Sequence, residues 1–166
     1  MTTTHEARPI EAHVLGRLRE QDDAGLARTP RTDHEGGSPL RCCLRPSEPG
    51  ERIVLVSYAP LRRWAERTGA DPGPYDECGP VFVHAGECGG PSHATGYPVA
   101  LHGPRRVLRA YDSRGRILGG RLVELPHARA AEVDGILGEV LSDPEVALVH
   151  VRAVEFGCFM VEVRRR

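Results

Sequence analysis

The chain contains no lysine: all 22 basic residues are arginine, set against 23 aspartates and glutamates for a net charge of -1. An all-arginine basic set is what a GC-rich coding sequence gives. The near-neutral balance excludes a partner held by bulk electrostatics, so neither nucleic acid nor an anionic membrane surface is expected. Aromatic residues make up only 5% of the chain, and they do not interleave with basic ones as on a single-strand nucleic-acid surface. No apolar run approaches the roughly 18 residues of a membrane helix. Met1 to Glu6 lacks a basic region leading into an apolar one, so no secretory signal is read there and the cytoplasm is the expected compartment. The five cysteines are an odd number, which does not read as a disulfide framework, and free thiols are expected. There is no CxxC, HExxH, GxSxG or phosphate-binding loop, and no GxGxxG opens a helix after a strand.

What is there fits one domain. A chain of 166 residues can bury about 70% of its unfolded surface. Pro9 and the apolar face Ile10, Val14, Leu15 and Leu18 predict a helix over residues 9–20. Residues 21–38 are polar and read as a long loop, a lid or a mobile segment. Leu40 to Leu44 reads as a short strand, and Ile53 to Tyr58 as a strand buried on both faces. Pro60 to Arg67 is a short helix ended by Gly69. Gly79 to Ala85 is a strand that places Phe82 and His84 on one face. Arg106–Asp112 and Arg116–Leu125 form a hairpin whose Gly115 supplies the positive φ of the turn. Residues 126–141 are a helix, and residues 145–154 and 158–164 make a final strand pair around Glu155-Phe156-Gly157. The class is α+β, built on a mainly antiparallel sheet with two or three helices. Residues 1–37 form an N-terminal helix and polar loop ahead of the main body at 38–166, in one compact domain overall.

Several segments carry a resemblance. They are Leu40-Arg41-Cys42-Cys43-Leu44-Arg45, the strand from Glu51 to Tyr58, Pro74-Tyr75 leading to Gly79-Pro80-Val81-Phe82-Val83-His84, Leu108-Arg109-Ala110-Tyr111-Asp112, and His150-Val151-Arg152 with Gly157-Cys158-Phe159. In order and spacing they resemble DUF1203, a bacterial family of uncharacterised proteins. The resemblance implies no activity. The Gly86 to Tyr97 insert, with Cys88 and His93, departs from the family pattern, so a role for those two residues would be particular to this branch.

Three constellations are candidates for chemistry. By strand alternation, Arg109 and Tyr111 share a face, as do His150 and Arg152. If these faces coincide with that of His84, they make an anion site through bidentate arginine contacts. The bland alternative is a wet sheet face with each arginine paired to a carboxylate. In the second constellation Cys158 follows a turn beside His150. A register pairing residue 150 with residue 160 sets Arg152 opposite Cys158 and activates its thiol, and a register one residue over buries it. Cys42 and Cys43, on a strand, would face opposite sides. The third is a metal loop of His84, Cys88 and His93, with Cys78 six residues upstream of His84, holding zinc or iron.

The leading expectation is a small enzyme or binding protein for an anionic small molecule. Arg41, Arg109 and Arg152 would contact the anion and Tyr58 and Tyr111 would orient it. His84 and His150 would act as acid or base and Cys158 as nucleophile, with no cofactor. The alternatives are an interaction module that forms a homodimer through a sheet edge, and a metal-dependent enzyme centred on His84, Cys88 and His93.

Overall fold

The computed structural model describes residues 3–92 and 96–166. In chain order the elements are β1 (His5–Arg8), α1 (Ala12–Glu20), β2 (Arg31–Asp33), β3 (Pro39–Leu40), β4 (Arg45–Pro46), β5 (Glu51–Tyr58), α2 (Pro60–Thr68), β6 (Gly79–His84), β7 (Arg105–Tyr111), β8 (Ile117–Glu124), α3 (Val133–Leu141), β9 (Leu148–Ala153) and β10 (Phe159–Arg165). The fold is α+β, as its sequence pattern predicts, but the strands build two sheets rather than one.

The first sheet runs β1-β10-β9-β7-β8 and is antiparallel throughout. The second runs β2-β5-β6-β3-β4, with one parallel pairing where Leu40 meets Phe82. Helix α3 covers the first sheet. Val133, Leu137 and Leu141 recur every fourth residue and all face the core formed with Leu108, Val149, Val151, Val161 and Val163. Burying each such leucine contributes about 1.5–3 kcal/mol. Helix α1 does the same for the second sheet, setting Val14, Leu15 and Leu18 against Ile53, Val54 and Val56. Among the described residues, no helix is long and apolar enough to cross a membrane.

The two sheets meet at the start of β10. Phe159 belongs to the first sheet by hydrogen bonding but packs into the core of the second, 5.7 Å ring to ring from Tyr58. The cleft described below opens beside this joint.

Several local expectations need correction. Before residue 38 the chain adds two strands that its sequence does not announce: β1 pairs with β10 as an edge of the first sheet, and β2, inside the expected polar loop, pairs with β5. The first helix starts at Ala12, because residues 5–8 are committed to that sheet edge. The final helix begins as a 3-10 turn over His127–Glu132 and becomes α-helical at Val133. Leu40 to Leu44 is not a strand. Leu44 N–H donates to Leu40 O at 2.9 Å, closing one helical turn, and Leu44 leaves it at φ 56°. Leu55 stays exposed, so β5 is buried on one face over its middle. In the last hairpin His150 lies opposite Glu162 and Arg152 opposite Phe159, with a bulge between Phe159 and Val161. Cys158 thus falls in the turn ahead of β10 rather than in the paired register.

Candidate functional site

Strand alternation brings Arg109, Tyr111, His150 and Arg152 together, because β7 and β9 are adjacent and in register, with Arg109 opposite His150. What lies on that face is a carboxylate from the chain itself. Glu77, in the loop before β6, accepts from Arg109 at 2.9 Å and from Arg152 at 3.0 Å. Arg109 also donates to the Tyr111 hydroxyl at 3.4 Å. The anion position between these two arginines is therefore taken by Glu77, a residue the sequence offers no pattern to single out.

His150 is wholly buried between the rings of Tyr111 and Phe159, 4.7 and 5.0 Å away. Its Nε2 meets Glu162 at 3.3 Å. Burial pulls the imidazole below its ordinary value. Burial pushes the Glu162 carboxyl up, but the His150 hydrogen bond and the Arg164 ion pair overcome it, and the carboxyl ends below its usual range. A neutral histidine and an ionised glutamate follow. His150 does not line the cleft, and its hydrogen bond goes to Glu162 rather than to Cys158.

The cleft itself has a volume of about 400 Å³. Leu55, Pro60, Pro80, Phe82, Phe156 and Phe159 give it apolar walls, and Arg41, Tyr58, Glu77, Cys78, Arg152 and Cys158 bring polar groups to them, Glu77 paired to Arg152. Phe156, at the tip of the β9–β10 turn, is 89% exposed although it lines the opening. Tyr58 is buried, and that burial pushes its phenol up and keeps it neutral.

Arg41 is the unusual member. It is only 2% exposed. Its guanidinium donates to Phe159 O at 2.8 Å and Pro39 O at 2.5 Å and touches the Met160 sulfur at 3.6 Å. Among the described residues no carboxylate pairs with it. Burial lowers its affinity for its proton, and the Cys158 thiol alongside is what pulls the other way. A buried guanidinium without a carboxylate is costly unless another anion answers it.

A second cluster sits on the far side of the same helical turn. Because residues 40–44 coil rather than extend, Cys42 and Cys43 present their thiols to one side, 3.9 Å apart. His84, the last residue of β6, brings Nδ1 within 3.4 Å of Cys42 Sγ and 3.7 Å of Cys43 Sγ. Cys88 enters from the following loop, and all four ligand atoms lie within 4.8 Å of one another. That loop is tied down by Arg19, which donates to His84 O and Gly86 O. The Cys43 hydrogen bond and then burial push the Cys42 thiol up; the Cys42 contact draws Cys43 down, and burial raises Cys88. Of the metal loop foreseen in the sequence, His84 and Cys88 come together, Cys78 lines the other cleft, and His93 lies outside the described residues. Sequence reasoning missed Cys42 and Cys43 as partners, because a strand would have sent them apart.

A family model described as a protein of unknown function, DUF1203, matches residues 37–165. The chain belongs to the DUF1203 family. No curated protein and no solved structure matches it. The DUF1203 match takes in every residue of both clusters, while β1, α1 and β2 precede it.

Proposed function

We propose that this protein binds a small molecule with an apolar body and one anionic head, seated in the cleft between the sheets. The observation that carries this reading is Arg41, a buried cation without a carboxylate partner among the described residues, in the wall of a mainly apolar cavity whose one carboxylate, Glu77, is taken by Arg109 and Arg152. Apolar walls with a few convergent polar groups are the usual character of a ligand site. The anionic head would meet the free N–H groups of Arg41, the body would lie along Phe82, Phe159 and the exposed Phe156, and Cys158 would stand beside the head. If the ligand carries an ester or thioester near that head, the Cys158 thiol is placed to attack its carbonyl carbon, the departing alcohol or thiol taking the thiol proton, and hydrolysis of the acyl-cysteine by water would make the protein an enzyme rather than a carrier. Arg109 is held by Glu77 and plays no direct part. All five cysteines are free, which supports a reducing compartment such as the cytoplasm as the setting.

The test is thermal stabilisation by octanoate and phenylacetate, with inorganic phosphate as the anion lacking an apolar body. The two carboxylates should raise the melting temperature of the wild type and have little effect on Arg41→Met. Equal shifts in both proteins, or a larger shift with phosphate, would remove the reading.

The alternative of a dimer-forming module draws on β8. It is an edge strand whose Ile117, Leu118 and Leu122 are all exposed. Light scattering after size exclusion decides it: a monomer at micromolar concentration rules it out.

A further inference from the structure

We infer that Cys42, Cys43, His84 and Cys88 form a tetrahedral zinc site whose role is to hold the second sheet together. Zinc bonds of about 2.3 Å to sulfur and 2.0–2.1 Å to nitrogen, at tetrahedral angles, require sulfur–sulfur separations of about 3.8 Å and sulfur–nitrogen separations of about 3.6 Å. The chain places its ligand atoms at 3.9 Å for Cys42 to Cys43, and at 3.4 and 3.7 Å for the two thiols to His84 Nδ1. Three thiols and an imidazole are a soft donor set suited to this ion.

The surroundings are those of a metal ligand shell. His84 Nε2 meets Glu51 Oε1 at 3.1 Å, so the carboxylate accepts the Nε2 proton and leaves the Nδ1 lone pair facing the thiols. Glu51 is itself fixed by Arg45 through contacts of 2.7 and 3.1 Å, and accepts from the Glu48 N–H at 2.8 Å. These bonds, Arg45 foremost, hold its carboxyl down to about 2. The His84 N–H donates to Cys42 Sγ at 3.2 Å, a bond that favours a thiolate. Carboxylate, histidine and thiols thus form one oriented chain from Arg45 inward.

Four protein ligands fill a tetrahedral shell and leave no open position, which is the pattern of a structural site rather than a hydrolytic one. On binding, Zn²⁺ replaces the three thiol protons, which pass to solvent. The resulting net charge of the site lies within reach of Arg45 beside Cys43 and Arg19 beside Cys88. The ion would tie the 40–44 turn, the end of β6 and the 86–88 loop at one point. The same 40–44 turn carries Arg41 on its other side, so the metal would also fix the wall of the cleft.

The experiment starts from untagged protein purified without chelators. Elemental analysis should find about one zinc per chain. Replacing the zinc with Co²⁺ should give thiolate charge-transfer bands together with the strong visible absorption of tetrahedral cobalt. Cys43→Ser and Cys88→Ser should weaken those bands, Cys158→Ser should leave them intact, and Glu51→Gln should keep the spectrum while loosening the metal about 10–100-fold. Should the cysteine variants fail to fold, the wild-type cobalt spectrum and the Glu51→Gln affinity still decide. Protein without metal and without a cobalt–thiolate spectrum at one equivalent would overturn the inference, as would full bands in Cys88→Ser. Iron in place of zinc would overturn the choice of ion.

Discussion

The buried polar groups around the 40–44 turn are handled differently from those of the first sheet. In the first sheet the chain answers its own charges: Glu162 takes His150 and Arg164, Asp134 takes His5, and Glu77 takes both Arg109 and Arg152. At the second sheet Arg41 has no carboxylate among the described residues, and three thiols converge on the free nitrogen of one imidazole. A buried polar group satisfied by its own chain is explained by folding alone. A buried charge with no counter-charge carries a folding cost even when its N–H groups reach backbone carbonyls, and a ligand is the simplest thing to offset it. The difference points to the turn at residues 40–44 as the functional centre, and away from the arginine and histidine face that draws attention in the sequence.

The sharpest way to break this contrast is to treat both clusters alike. Glu162→Ala leaves Arg164 and His150 without their carboxylate and should cost about 3–5 kcal/mol in urea unfolding. A loss under about 1 kcal/mol would mean that the first sheet does not depend on its internal pairing. The same cluster sets a pH dependence. Burial holds the folded His150 below the unfolded value of about 6.5, so the unfolded chain takes up its proton first. Stability from this group is complete above that value and is lost as pH falls through it toward the folded value, by at most about 1.4 kcal/mol per pH unit. The urea midpoint should therefore drop on acidification from about pH 7 to pH 5, and less in His150→Leu, measured against its own value at about pH 7. A midpoint that holds or rises in wild type contradicts the assignment.

Much of the architecture is visible in the residues, and the reason is local. Pro60 and Gly69 bracket α2, Gly69 taking φ 74° as its N–H caps the helix on Ala65 O. Gly115 takes φ 81° in the turn between β7 and β8. Alternation in β7 and β9 correctly puts Arg109, Tyr111, His150 and Arg152 on one face. The rest depends on distant contacts. His5–Arg8 has no strand-like composition and is a strand only because β10, at the other end of the chain, offers it an edge. Glu77 lies in a loop, and nothing local directs it between two arginines. The cysteine cluster was half visible in His84 and Cys88, but it requires Leu44 at positive φ, a conformation a leucine does not advertise. Adjacent cysteines in this turn are read correctly only once the turn is known to coil.

Smaller effects sharpen the comparison at the cleft. Arg41→Met removes two hydrogen bonds to backbone carbonyls but also an unmatched buried charge, and these effects oppose each other. A net change within about 2 kcal/mol is expected, below that of Glu162→Ala. Its consequence for chemistry should be clearer. Iodoacetate should alkylate Cys158 faster, relative to iodoacetamide, in wild type than in Arg41→Met, because the guanidinium draws the anionic reagent to the thiol. An unchanged ratio would separate Cys158 from Arg41. Arg109→Ala breaks one ion pair to a half-exposed Glu77 and should cost no more than about 1 kcal/mol while leaving octanoate binding intact. Loss of binding there would return the arginine face of the first sheet to the centre.

The most direct test of the contrast is native mass spectrometry on untagged, natively purified wild-type protein. The account predicts a chain heavier than its sequence by one zinc ion, less the thiol protons that the ion displaces, with the increment lost on acid unfolding. A folded chain at its bare sequence mass would contradict it, and would mean that the thiols and imidazole of the second sheet are as self-contained as the ion pairs of the first.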